Sequence, residues 1–230
     1  MELGILDKVR QFSTPLLSDA LDTLGLPGGL LGIRPMTLLT TGLMVGPAYT
    51  VQFEKVPAGT PAIAADYIDE VPTGWTVVLA NARRMDCSVW GGILTARAQT
   101  LGLCGTVIDG CFRDVGDIRM INYPVFARDI YMRSGKNRAQ MVAQHVPVEI
   151  SGVVIQPEDI IVGDENGVLV IPRLHLAEVL AQAQEVRQTE QSILQHVQCG
   201  ESLRAARQKF NYNRHAVRMV SHPSPHASDA

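Results

Sequence analysis

The chain has 230 residues, 46% hydrophobic and 19% charged, which is enough apolar material for an ordinary buried core and excludes a disordered or low-complexity protein. Its formal net charge of -3, with no block of like charge, gives no electrostatic reason to expect a nucleic-acid or membrane partner. No apolar run reaches the roughly 20 residues that span a bilayer, and the opening MELGILDKVRQF carries charges where a signal peptide has an apolar core, so a cytoplasmic location is expected.

Thr14-Pro15 reads as a helix start, and Leu16, Leu17, Ala20, Leu21 and Leu24 recur at helical spacing until Gly25. A glycine- and proline-rich stretch, 27–35, leads to 41–52, where Val45, Ala48, Tyr49 and Val51 suggest strands broken at Gly46-Pro47, at the edge of a sheet. The turn Val71-Pro72-Thr73-Gly74 feeds a buried strand from Trp75 to Ala80. A helix follows over 91–101, closed by Gly102, and then come strands at 106–108 and 125–127. This alternation indicates an α/β layer architecture.

From Val146 short β segments take over: 148–150, 153–155, 160–163 and 168–171, the last two joined by Asp164-Glu165-Asn166-Gly167, a hairpin turn whose oxygens lack the later positions of a calcium loop. After Pro172 a long helix runs to Gly200, with Leu176, Val179, Leu180, Ala183, Val186, Ile193, Leu194 and Val197 on one stripe, which must bury against the same domain or another subunit, the subunit contact being favoured. The chain therefore divides into an α/β domain over 1–172, a helical extension over 173–220, and a tail over 221–230 expected to be disordered, with His222 and His226 as exposed bystanders.

Cys87, Cys104, Cys111 and Cys199 fit no zinc spacing and read as reduced thiols. Only Lys8, Lys55, Lys136 and Lys209 are available for Schiff-base chemistry.

The segment with chemical content is Gly91-Gly92-Ile93-Leu94, followed by Asp109-Gly110 and Arg113-Asp114. Glycines at a helix start bare the backbone amides where the dipole is positive, which suits a carboxylate, although a tight turn would also use them. The strand at 106–108 is expected to end at Asp109-Gly110, and ligands of α/β proteins gather at such ends. A guanidinium can grip a carboxylate and hold enolate charge, and an adjacent carboxylate can hold a hard cation. Taken alone, the pair reads more readily as a salt-bridged or capping pair beside Asp117 and Arg119.

At these residues the chain resembles the RraA-like proteins, which include 4-hydroxy-4-methyl-2-oxoglutarate aldolases with oxaloacetate decarboxylase activity. Ser18-Asp19-Ala20-Leu21-Asp22 with Gly25, Gly46 to Val51, and Gly163-Asp164 through Gly167-Val168 to Ile171-Pro172 extend the resemblance over about residues 13–200. It implies a compact β/β/α sandwich resembling the phosphohistidine swivelling domain, assembled as a homotrimer or homohexamer with sites near subunit boundaries. It also implies a lyase acting on a small 2-oxo acid through a pyruvate enolate, dependent on Mg2+ or Mn2+. Arg113 and Asp114 correspond to the catalytic pair, Asp114 to the metal ligand, and Gly91, Gly92, Ile93, Leu94 and Arg113 to the substrate contacts. Water held at the cation is the implied base. Many aldolases of the family carry an acidic residue where this chain has Gly92. The family also holds a rival reading, a non-catalytic regulator that docks on a ribonuclease. A methyltransferase reading lacks the glycine-rich cofactor loop it needs.

Overall fold

In the computed structural model, residues 3–37, 42–57, 59–62 and 66–212 are described; the tail expected at 221–230, with His222 and His226, lies outside them. Among the described residues the helices are α1 (Leu3–Val9), α2 (Thr14–Leu24), α3 (Gly92–Thr100), α4 (Val115–Met120), α5 (Leu176–Gln198) and α6 (Leu203–Lys209). The strands are β1 (Arg34–Pro35), β2 (Met44–Lys55), β3 (Thr76–Trp90), β4 (Gly105–Phe112), β5 (Val125–Ile130), β6 (Ala139–Gln144), β7 (Val148–Ile150), β8 (Val153–Ile155), β9 (Ile160–Asp164) and β10 (Gly167–Ile171). None of these helices is long and apolar enough to cross a membrane.

The main sheet has the order β1-β5-β4-β3-β2-β9-β10. Its middle strands β2, β3, β4 and β5 run parallel, with α3 and α4 as the crossovers after β3 and β4. The other side of β2 is divided, pairing antiparallel with β9 at Met44 to Pro47 and with β6 from Val51 to Lys55. Successive residues of the middle strands point to opposite faces, so Val77, Leu79 and Ile108 join one core and Val78, Ala80 and Val107 the other. The first core lies under α3 and α4. The second is covered by the separate β7–β8 hairpin. Each Val, Leu or Ile side chain so buried contributes about 1.5–3 kcal/mol. The layers are thus helix, large sheet and small sheet, the mixed α/β sandwich that the family resemblance implies.

A third core joins α1, α2 and α5 to β9 and β10. Leu176, Val179 and Ala183 of the long-helix stripe pack there against Leu17, Ala20 and Leu21 of α2. Of the two partners expected for the stripe, the same domain therefore takes its first half; farther along Val186 and Ile193 are buried while Leu194 is 56% exposed.

Three further expectations change. β2 runs unbroken through Gly46-Pro47 and lies inside the sheet. Gly46 is there because a Cβ would come within 2.7 Å of the Gly74 carbonyl, and Pro47 falls one residue before the ladder to β3 begins, where a missing N–H costs least. β3 does not stop at Ala80 but continues to Trp90 through a bulge at Ala82 and Arg83, both at positive φ. β4 extends past Asp109-Gly110 to Phe112, so Asp109 is a buried strand residue and not a loop group.

Candidate active site

Parallel strands end on one side of the sheet, and the longer β3 and β4 bring the sequence-derived residues together there. Trp90, the last residue of β3, hands directly to Gly91, the N-cap of α3. Phe112, the last of β4, hands to Arg113 and Asp114, and the Arg113 amide donates to the Trp90 carbonyl at 3.1 Å. Trp90 is anchored from below: its indole N–H donates to the Thr95 hydroxyl at 2.7 Å, and its ring stacks on Tyr123.

Asp114 is the N-cap of α4, in the left-handed region (φ 61°), but its side chain makes no capping bond there. Its Oδ2 instead accepts from the Gly92 amide at 2.9 Å, across to the first turn of α3. The approach depends on Gly91, where a Cβ would lie 2.7 Å from Asp114 Oδ2 and 3.3 Å from Arg113 Cγ. Helix geometry leaves the Ile93 and Leu94 amides without intrahelical acceptors. Arg113 Nε lies 3.6 Å from Asp114 Oδ2, too far for a hydrogen bond. Neither residue pairs with Asp117 or Arg119 among the described residues; the two form a loose, partly exposed ion pair with each other, so that part of the salt-bridge alternative holds.

Gly91, Gly92, Ile93, Leu94, Arg113 and Asp114 all line one cleft of about 280 Å³. Local spacing did not reveal its other walls. Phe53 and Ala139 come from β2 and β6, Tyr67 precedes a short helical turn, and Ser134, Gly135 and Lys136 come from the loop after β5, held by the Ser88 amide donating to the Arg133 carbonyl at 2.8 Å. Lys136, one of the four lysines, is exposed at the rim, as is Asp66.

Asp117 is a further acidic group at the site. A Cβ on Gly92 would sit 3.5 Å from Asp117 Oδ2 and 3.6 Å from Asp114 Oδ2, so the side chain missing at 92 leaves a gap that both carboxylates face. Two exposed carboxylates beside open solvent are a suitable donor set for a hard divalent cation that keeps part of its water shell. No group of three or more His, Cys, Asp or Glu residues forms a closed metal site among the described residues. The described cysteines are free, and burial pushes the Cys87, Cys104 and Cys111 thiols up, the last to about 11, which leaves them poor ligands and nucleophiles.

Residues 14–170 match the profile of the RraA-like family, described as Aldolase/RraA. The chain belongs to the RraA-like family. The protein DlpA of Legionella pneumophila is 43% identical over 212 residues, covering 91% of this chain but 34% of DlpA, so the chain spans about a third of that relative's length. A Halalkalibacterium halodurans protein named "Putative 4-hydroxy-4-methyl-2-oxoglutarate aldolase" is 32% identical, covering 80% of this chain and 84% of its own. The crystal structure of an uncharacterized Pseudomonas syringae protein superimposes with a TM-score of 0.80 at 42% identity, covering 90% of this chain and 98% of that one. This RraA-like chain therefore shares its fold and its sequence with relatives of which some carry an aldolase name.

Proposed function

We propose that this protein is a divalent-metal-dependent lyase that cleaves a carbon–carbon bond of a small 2-oxo acid through a pyruvate enolate. The observation that carries the reading is Asp114, turned away from its own helix and held by the Gly92 amide beside Arg113, whose guanidinium makes only a loose ion pair with it among the described residues. The aldolase name of the H. halodurans relative supports it.

Asp114, with Asp117 beside it, would hold magnesium or manganese, and the chemistry such an ion supplies is withdrawal of charge from the 2-oxo oxygen. The Ile93 and Leu94 amides receive the substrate carboxylate at the positive end of α3. Arg113 donates to the 2-oxo oxygen and holds the negative charge that gathers there as the bond breaks, a role worth about a hundred- to a thousandfold in rate. For retro-aldol cleavage Asp117 takes the substrate hydroxyl proton through a water molecule. Decarboxylation of oxaloacetate uses the same enolate without that base.

The test follows pyruvate release from oxaloacetate and from 4-hydroxy-4-methyl-2-oxoglutarate before and after chelation. Chelation abolishes turnover, added magnesium or manganese restores it, and Asp114→Ala lowers kcat/KM by more than about a hundredfold. Turnover indifferent to chelation and to Asp114→Ala would refute the mechanism. Failure with every 2-oxo acid, together with tight binding to a ribonuclease, would assign the chain to the regulator class instead.

A further inference from the structure

We propose that Lys136 and the buried Tyr67 hydroxyl receive the far carboxylate of a dicarboxylic 4-hydroxy-2-oxo acid and are the groups that distinguish it from a substrate with an apolar tail. The inference rests on the lyase reading and adds the residues that hold the half of the substrate that leaves.

The path of the chain sets the direction of the cleft. Arg113 and Asp114 follow the last residue of β4, and Gly91 follows the last of β3. The segment 131–138 leaves β5 on the far side of β4, meets Ser88 of β3 through a bridge at Ser134, and enters β6, which pairs with β2. Lys136 therefore lies past β3 on the way to β6. A substrate whose carboxylate and 2-oxo group are held at the β4 and β3 end sends its tail toward Lys136, Phe53 and Tyr67, which also line the cleft.

The backbone of Lys136 is fixed by its neighbours. A Cβ on Gly135 would come within 2.8 Å of the Ser88 carbonyl, so the loop lies directly on β3. The Arg138 guanidinium donates to the Ser134 and Lys136 carbonyls at 3.1 Å each, and the Lys136 amide donates to the Ser134 hydroxyl at 3.2 Å. The ammonium itself makes no ion pair among the described residues. A braced loop thus carries a cation without a counter-ion to the exposed rim of the cleft.

The second group is interior. The Ser88 hydroxyl donates to the Tyr131 carbonyl and that of Ser134 accepts from the Lys136 amide, so both are engaged within the protein. The Tyr67 hydroxyl is fully buried and has no partner among the described residues. Burial pushes its pKa up, so it stays a neutral donor. Native proteins pair nearly all buried polar groups, and one left over costs stability until something accepts its hydrogen. A carboxylate accepts from the phenol and pairs with the ammonium, while C4 packs on Phe53, which meets Tyr67 edge to face at 6.3 Å. Asp66, the other charge at the rim, opposes this binding.

These groups touch only the leaving half. The C4 hydroxyl loses its proton, and the C3–C4 bond breaks with its electron pair left on C3 as the pyruvate enolate. C4 becomes the carbonyl carbon of a second 2-oxo acid, whose carboxylate Lys136 still holds. Protonation at C3 then releases pyruvate, and no oxidant or further reactant is needed.

A matched pair of substrates reads the far end. 4-Hydroxy-2-oxoglutarate and 4-hydroxy-5-methyl-2-oxohexanoate differ only in carrying a carboxylate or an isopropyl group of similar shape at C4. With the magnesium-loaded protein, kcat/KM for the dicarboxylate is expected to exceed that for the isopropyl substrate by about tenfold or more. Lys136→Met should bring the ratio close to one, Lys136→Arg should keep part of it, and Asp66→Asn should raise it. Tyr67→Phe removes a single unpartnered oxygen, so the variant should melt no lower than the wild type while its ratio falls by about tenfold. Both substrates meet the same preparation, so a loss of folded protein leaves the ratio unmoved. Deuterium exchange into the pyruvate methyl group of the wild type, read by NMR, reports enolate formation with no tail present. Exchange together with a wild-type ratio at or below one, or with a ratio that either Lys136→Met or Tyr67→Phe leaves unmoved, would overturn the assignment and leave the lyase reading standing. Absence of both exchange and cleavage would remove the lyase reading and this inference with it.

Discussion

An aspartate at the start of a helix ordinarily accepts from that helix's own amides, and Asp114 does not, because Gly91 lets it reach the Gly92 amide of α3. A single methyl group separates the two arrangements. Gly91→Ala places a Cβ 2.7 Å from Oδ2, so the carboxylate must move, and on the proposed lyase reading a displacement of about 1 Å there should cost about a hundredfold in kcat/KM. Since the site opens to solvent, the variant should melt within a few degrees of the wild type; retained activity would show that the Gly92–Asp114 bond does not position the site. Gly92 and Asp117 are linked through the gap they share. Asp117→Asn should weaken manganese binding, measured from the free ion's EPR signal, by about ten- to a hundredfold. Gly92→Asp introduced into Asp117→Asn returns a carboxylate to the same gap and should recover part of that loss. No recovery would separate position 92 from the cation.

At the scale of elements, helix starts and strand cores were readable where local chemistry decides them. α2 forms over Thr14–Leu24 and ends on Gly25 at φ 69°, as its spacing indicates. Its cap, however, is not local. Ser13 makes no capping bond, and Asp164 serves from the β9–β10 hairpin: Oδ2 accepts from the Thr14 amide at 2.9 Å, and Oδ1 from the Thr14 hydroxyl at 2.6 Å and the Asn166 amide at 2.8 Å. Burial alone would raise this carboxyl, but the hydrogen bonds from Thr14 and Asn166 outweigh it and hold it below the usual carboxylate range. Its stabilising contribution is therefore complete above the ordinary carboxylate pKa and is lost as pH falls through the lower, folded-state value. Asp164→Ala should cost about 2–3 kcal/mol at neutral pH, and the gap between variant and wild type in urea unfolding should shrink toward pH 2. A gap constant with pH would contradict the assignment.

The candidate site was legible to the extent that Gly91 to Leu94 and Arg113-Asp114, each a short local motif, prove to lie in one cleft. Phe53, Tyr67 and Lys136 could not be read in this way, because the pairings of β2 with β3 and β6 bring them in from distant segments. The true length of β3 was hidden by its bulge, where Ala82 and Arg83 interrupt the strand pattern and expose a polar run.

Across the whole molecule, Asp109 shows what a motif reading misses. In sequence it stands five residues before Asp114 and reads as part of the same loop, yet it lies inside β4 and faces Arg128 of β5, with Arg128 Nε donating to Asp109 Oδ1 at 2.6 Å. The Arg83 amide of the β3 bulge donates to the other oxygen at 2.9 Å. Arg128 also donates to the Ser151 hydroxyl in the β7–β8 turn at 2.9 Å and to the Leu31 carbonyl at 3.2 Å, packed so closely over Gly32 that a Cβ there would lie 2.6 Å from Nη1. One buried ion pair thus fastens three strands of the large sheet, the small sheet and the segment before β1. Removing one member leaves a buried charge alone, so Arg128→Met should cost about 3–5 kcal/mol. Asp109→Asn added to Arg128→Met removes that stranded charge while keeping an acceptor for the Arg83 amide, and it should recover most of the loss in chemical denaturation. If the double variant unfolds as readily as Arg128→Met alone, the cost lies in the severed links to Ser151 and Leu31 and not in the unpaired carboxylate.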